Sequence, residues 1–244
     1  MKIIEHLLST LNPEAAVTDV RQGPFWTAVH TSHCGLASTP HDPGHHHGVA
    51  RVRDAGRLMA KSALELAQMA LSESGHEAAV GMAAINSLLD VDEQRCVELN
   101  AADLLARRGE GKKVALVGHF PFADRLRHAV KELWVIERHP LPGDVSEDEA
   151  QVLVPQADIV AITGSAFINH TIEGLLDMCS PNAFVVILGP TTPLSPVLFD
   201  YGVDVVSGTI VVEPESVLRQ VSQGATFRQM TGIRLLTLER ERIG

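Results

Sequence analysis

In the second half of the chain the apolar positions fall into short unbroken runs, each closed by glycine or a polar turn and then followed by helical spacing. The clearest run is V-A-L-V at 114–117, which ends in Gly118, His119 and F-P-F. Further runs lie at 133–136, 158–162, 184–188 and 203–206. A short run without a polar break predicts a strand buried on both faces of a parallel sheet. Between the runs, helical spacing predicts helices at 122–131, 168–178, 195–199 and 214–221, the last opened by Pro214. One more helix is predicted from Ser146, whose S-x-x-E spacing to Glu149 fits a capping box. A final strand is expected at 233–238. Five β-then-α units in a row predict a doubly wound parallel sheet with helices on both faces.

The first half follows another rhythm. Ile4, Leu7, Leu8 and Leu11 share a face of a helix over 3–11, which Asn12-Pro13 ends. Strands are expected at 15–20 and 25–30, joined by the turn R-Q-G-P, with a third piece at 34–38. A proline-, glycine- and histidine-rich loop covers 39–48. Helical spacing then returns at 56–71, at 77–89 and at 100–108, before the polar link G-E-G-K. The pattern predicts an α/β protein of two domains: a smaller unit at 1–105 and a doubly wound unit at 106–244.

Composition narrows the function classes. The net charge is −10, and aromatic residues make up 4% of the 244 positions. With no stripe of Lys and Arg, neither nucleic acid nor an anionic membrane is an expected partner. No apolar segment approaches the ~20 residues needed to span a bilayer. The start M-K-I-I-E-H-L-L-S-T-L-N is too short and polar for a signal peptide. Cys34, Cys96 and Cys179 are far apart and form no C-x-x-C pair, so the expected location is a reducing cytoplasm.

The candidate chemistry gathers at the expected carboxyl ends of the strands, the edge at which such sheets bind ligands. Gly118, His119 and Phe120 follow the first strand, and Glu137 the second. Thr163, Gly164 and Ser165, then Asn169 and Thr171, follow the third. Pro190, Thr191 and Thr192 follow the fourth. Glu137 stands 19 residues after Gly118, a spacing at which dinucleotide-binding folds place a carboxylate for ribose hydroxyls. The run G-H-F-P-F is not a G-x-G-x-x-G loop, and this weighs against a pyrophosphate. His119 and Glu137 are the candidate catalytic pair, because an imidazole titrates near neutral pH. The T-G-S-A-F run lacks a nucleophile elbow, so Ser165 is read as a hydrogen-bonding group. Asn86, inside the helix of small residues, either is a satisfied core amide or reaches a cleft between the domains. His41, His45, His46 and His47 are candidate metal ligands, and imidazole suits nickel or zinc.

Five stretches together carry a family resemblance: E-A-A-V-G-M-A-A-I-N-S-L-L, V-G-H-F-P-F, V-I-E-R-H-P, T-G-S with N-H-T, and L-G-P-T-T-P-L-S-P. The chain resembles two-domain prokaryotic proteins of the "Putative heavy-metal chelation" family over most of its length. The resemblance implies an enolase-N-terminal-like α+β domain before a Rossmann-like domain, with a site where the two meet. It also implies a part in making or handling metal-chelating compounds of pterin, flavin or siderophore type, by condensation or hydrolysis. Three readings follow. The first is a protein, enzymatic or not, that binds such a small molecule, as a monomer or homodimer. The second is a non-catalytic carrier or sensor that holds metal through the histidine loop. The third is an S-adenosylmethionine-dependent methyltransferase, supported by Glu137 and opposed by the first loop.

Overall fold

The structure is a computed structural model and describes residues 1–12, 14–41 and 50–241. The chain opens with helix α1 (Lys2–Ser9). An antiparallel meander follows, with strands β1 (Asp19–Gln22), β2 (Trp26–His30) and β3 (Cys34–Ser38). The helix expected over 56–71 is interrupted. A 3-10 turn at Leu58–Ala60 gives way to an extended Lys61, and Ser62 then starts α2 (Ala63–Gln68). The cause is a full capping box: Ser62 Oγ accepts the Glu65 N–H, and the Glu65 carboxylate accepts the Ser62 N–H. Helix α3 (Gly75–Leu88) is buried along nearly its whole length, as its small residues allow.

Strand β4 (Cys96–Val97) and helix α4 (Ala101–Arg108) lead to β5 (Lys113–Val117), α5 (Ala123–Ala129) and β6 (Glu132–Glu137). Then come β7 (Val145–Ser146), α6 (Ala150–Leu153), β8 (Ile159–Thr163), α7 (Ser165–Ile168) and α8 (Ile172–Met178). The chain closes with β9 (Phe184–Leu188), β10 (Val205–Val211), α9 (Pro214–Ser222) and β11 (Ile233–Glu239). Ser146 accepts the Asp148 N–H and starts a 3-10 turn at Glu147–Glu149, not the expected box with Glu149.

The larger sheet runs in the order β4-β11-β10-β9-β8-β5-β6-β7. Strands β5 to β10 are parallel, while β11 is antiparallel to both β10 and β4. The α/β class with a mostly parallel sheet is therefore as the sequence led us to expect. Chain order reverses between β5 and β8, the place where such sheets open a crevice. Alternate residues of each strand are buried on opposite faces. Val114, Leu116, Val135, Ala161 and Leu188 pack under α4 and α5. Ala115, Ile136, Val160, Ile162 and Ile187 share one core with α1, α3, α7 and α8.

That second core is continuous with the first half of the chain, so the two halves are not separately packed. Helix α9 also covers the outer side of the meander, where Val217 and Val221 meet Ala28, Cys34 and Leu36. The meander thus lies between α3 and α9. The expected division at 105/106 falls inside α4, whose Leu104 and Leu105 are buried under the larger sheet.

One charge is buried at the start of α3. The Glu77 side chain is 3% exposed and accepts hydrogen bonds from Arg53 Nε (2.9 Å), Arg53 N–H (2.7 Å) and Ser72 Oγ (2.6 Å). The Arg53 guanidinium, first among these, pulls the Glu77 carboxyl down from 4.5 to about 2. Its contribution is therefore complete above pH 4.5 and is lost as pH falls towards 2. Arg53 is itself 78% exposed, so solvent screening holds the expected size to about 1–2 kcal/mol. Urea unfolding of wild type and Glu77→Gln should differ most near neutral pH and converge in acid; a gap that stays constant to pH 2 would refute this.

Candidate functional site

The turn that follows β5 builds one wall of a cavity. Gly118 (φ +104°) takes a left-handed conformation, and its N–H donates to Ile136 O at 3.0 Å. The next N–H, of His119, donates to Glu137 Oε1 at 2.6 Å. Arg138 N–H donates to Glu137 Oε2 at 3.1 Å. The carboxylate is thus pinned between the ends of β5 and β6, and each oxygen keeps a lone pair for another donor. The His119 ring turns the other way, placing Nδ1 3.1 Å from Asp144 Oδ2. The Asp144 side chain is 3% exposed and also accepts the Leu141 N–H at 3.1 Å. A carboxylate only accepts, so the Nδ1–H donates and Nε2 is left as the basic nitrogen.

The opposite wall comes from the end of β8. Thr163 Oγ1 accepts the Ser165 N–H at 3.3 Å. Ser165 Oγ meets Ser38 Oγ at 2.9 Å, and Ser38 Oγ meets Thr191 Oγ1 at 3.0 Å. The single helix expected over 168–178 is broken here. His170 is left-handed (φ +60°), with Nε2 2.9 Å from Ala70 O in the first half. Asn169 Oδ1 accepts the N–H and O–H of Thr171, which starts α8. The break turns polar groups toward the space between the walls.

That space is a cavity of 510 Å³ at the reversal of strand order. Gly118, His119, Phe120, Glu137, Thr163, Ser165, Asn169 and Thr171 all line it. The other candidates lie elsewhere, because residues 189–195 dive between the halves of the molecule. The dive needs glycine on both sides: a Cβ on Gly164 would sit 2.6 Å from Thr192 N, and one on Gly208 2.7 Å from Thr192 O. Thr191 is 2% exposed, and its Oγ1 accepts the Ser38 N–H at 2.9 Å. Asn86 Nδ2 donates to Leu36 O (2.9 Å) and Thr191 O (3.1 Å). Asn86 and Thr192 border a separate 130 Å³ space at this seam. Pro190 lines a third, apolar one. The single crevice expected from the sequence is therefore divided.

His41 is exposed, and His45, His46 and His47 lie outside the described residues. Among the described residues, no group of three or more His, Cys, Asp or Glu is placed to hold a metal ion. Burial pushes the Cys34 thiol up to about 12 and Cys179 up to about 11, so neither offers a thiolate near neutral pH. The described residues thus do not fit a transition-metal site. Sequence reasoning did not find Asp144, Glu147 or Ser38. Arg138, at the expected carboxyl end of the second strand, pairs with Glu147 at 2.9 Å on the cavity's edge. None of the three carries a local pattern, since each partner comes from a distant or irregular segment.

Fold and site define an α/β protein with a mostly parallel sheet and a cavity at the strand-order reversal. Residues 4–89 and 100–239 match two family models that carry the same description, "Putative heavy-metal chelation". The chain belongs to that family. An uncharacterised protein of Methanocaldococcus jannaschii is 30% identical over 167 residues, which span 65% of this chain and 64% of that protein. Crystal structures of family members of unknown function share the fold. The one from Desulfitobacterium hafniense has a TM-score of 0.85 at 24% identity, and the one from Pyrococcus horikoshii 0.81 at 21%, each covering 98% of both chains. Among the described residues no helix is long and apolar enough to cross a membrane.

The His119–Asp144 pair has a direct spectroscopic signature. Nitrogen NMR of the neutral ring should show the Nδ1–H tautomer in wild type and a shift toward Nε2–H in Asp144→Asn. An Nε2–H ring in the wild-type protein would contradict the pairing.

Proposed function

We propose that this protein binds a small donor-bearing organic molecule in the 510 Å³ cavity and works, in the cytoplasm, in the synthesis or handling of metal-chelating compounds. The observation that carries this reading is the convergence of Glu137, the His119–Asp144 pair, Thr163 and Ser165 on one cavity. Its volume lies within the ~300–1,000 Å³ usual for small-molecule sites. Glu137 accepts paired donors, such as a diol or the ring N–H and amino group of a pterin. His119 supplies the proton transfer that a condensation or hydrolysis needs. Thr163, Ser165, Asn169 and Thr171 orient the ligand across from the carboxylate. We further assign two units to the chain, matching the family spans 4–89 and 100–239, with α4 in the second.

Thermal unfolding with pterin, riboflavin and dihydroxybenzoate tests the reading. A ligand at a hundred times its Kd adds about 2.7 kcal/mol, which raises Tm by roughly 5–10 °C in a chain of this size. At least one probe should do so in wild type, and none in Glu137→Gln. A shift that survives the substitution takes Glu137 out of the site, and no shift with any probe removes the ligand class.

The second reading rests on the four imidazoles of His41, His45, His46 and His47 within seven positions, together with the family description. In it the loop holds nickel or zinc without catalysis. Titration of untagged protein should show micromolar or tighter uptake that is lost when His45, His46 and His47 are all changed to alanine. Uptake that persists in the triple variant ends this reading.

A further inference from the structure

The larger sheet is wider than the helices that cover one of its faces. Helices α4 and α5 lie over β5, β6, β8 and β9 on that face. Beyond their first turns the ends of β9, β10 and β11 are left open, and Leu235 is 45% exposed. A cavity of 470 Å³ lies there, with Leu99, Phe120, Phe122, Leu188, Pro190 and Leu235 in its walls. Its polar groups are few and engaged: Ser207 Oγ is paired with Thr237 Oγ1 at 2.8 Å. The Phe120 and Phe122 rings stack at 5.1 Å with 24° between their planes, which makes one wall flat. Arg125 stands at the edge, 60% exposed, with Nη2 2.9 Å from Asp103 Oδ1.

We propose that this apolar cavity is a second ligand site, which takes a planar aromatic anion of about two fused rings. The rings lie against the Phe120–Phe122 wall, and the anionic group meets Arg125. A flat apolar wall favours an aromatic plane over a branched chain, because ring faces stack at these separations. The exposed leucine and the two phenylalanines lose contact with water when the rings enter. A guanidinium held by one carboxylate still has free N–H groups for a second anion. Phe120 also lines the polar cavity, so its ring is the partition between two compartments of one strand-end rim. The polar compartment takes donors on Glu137, and the apolar one takes rings. The proposal rests on the apolar cavity's own geometry and not on the function proposed for the polar one.

The test uses naphthoate, a two-ring carboxylate, and naphthol, its neutral counterpart, with the full chain and intrinsic naphthalene fluorescence. Naphthoate should bind saturably at one site and more tightly than naphthol. Leu235→Glu should weaken it about tenfold, by removing apolar contact and adding a like charge. Arg125→Gln should weaken it about threefold, as expected for an exposed ion pair. In the wild-type protein the amides of Gly189 and Gly208 should shift on titration, which keeps the test independent of whether a variant folds. Glu137→Gln should leave naphthoate affinity unchanged, and this separates failure of the polar-site reading from failure here. Equal binding of the two probes, unchanged affinity in both cavity variants, or unmoved glycine amides would overturn the proposal.

Discussion

The whole arrangement depends on a backbone passing between two packed surfaces. Residues 189–195 leave the end of β9 and enter the seam between the meander and the larger sheet, where Thr191 and Thr192 are 2% and 1% exposed. A buried polypeptide must hydrogen-bond its polar groups or pay their desolvation. Here Asn86 donates to Thr191 O, and Thr191 Oγ1 takes the Ser38 N–H. The space exists because Gly164 and Gly208 carry no side chain. A methyl group at either would press on backbone rather than on a movable side-chain tip, so β8 or β10 would have to move. Two glycines and one amide thus hold the halves in register, and the cavities keep their shape because the halves do.

The same constraint explains why the rim is compartmented. In a sheet with all its strand-end loops on the surface, the carboxyl edge would be one long groove. Here the loop from β9 is withdrawn into the interior, which leaves the ends of β9 and β10 bare on one face and fills the middle of the edge. The F-P-F run then stands between the bare region and the polar cavity, with Phe120 bordering both. The polar cavity and the apolar one are separated by one ring. That ring lies two residues from the glycine that turns the chain.

Much of this was legible in the sequence where the signal is local. The run at 184–188 and the piece at 34–38 are strands with those limits, because unbroken burial and bounding turns leave no other period. The carboxyl-edge residues after the first three strands fall together because parallel strands put their ends on one side. What could not be read is what depends on partners remote in sequence. His170 breaks a helix because Ala70 O holds its ring, a contact across 100 positions. Asp144 sits in a turn that no periodicity marks, yet it orients His119. The withdrawal of Thr191 and Thr192 from the rim rests on glycines in two other strands. Prolines and threonines in that run signal a loop equally well inside or outside.

The hydroxyl chain at the seam adds a direction to the site. Ser38 Oγ lies between Thr191 Oγ1 and Ser165 Oγ, and each hydroxyl has one hydrogen to give. Thr191 already accepts the Ser38 N–H, and it is buried with Ser38 Oγ as its hydroxyl partner. Among the described residues Ser38 Oγ is the acceptor within reach of its hydrogen, and a buried hydroxyl that donates to nothing costs about 1–3 kcal/mol, so the favoured order runs from Thr191 to Ser38. Ser38 then passes its own hydrogen to Ser165, and the Ser165 hydrogen is left for the cavity. One wall of the polar compartment presents a donor and the other, at Glu137, an acceptor. On the proposed reading, a molecule in the cavity would turn acceptors toward β8 and donors toward β6, and a hydroxyl, which both donates and accepts, could serve either wall. The polarity originates in the meander, although its own strands do not line the cavity.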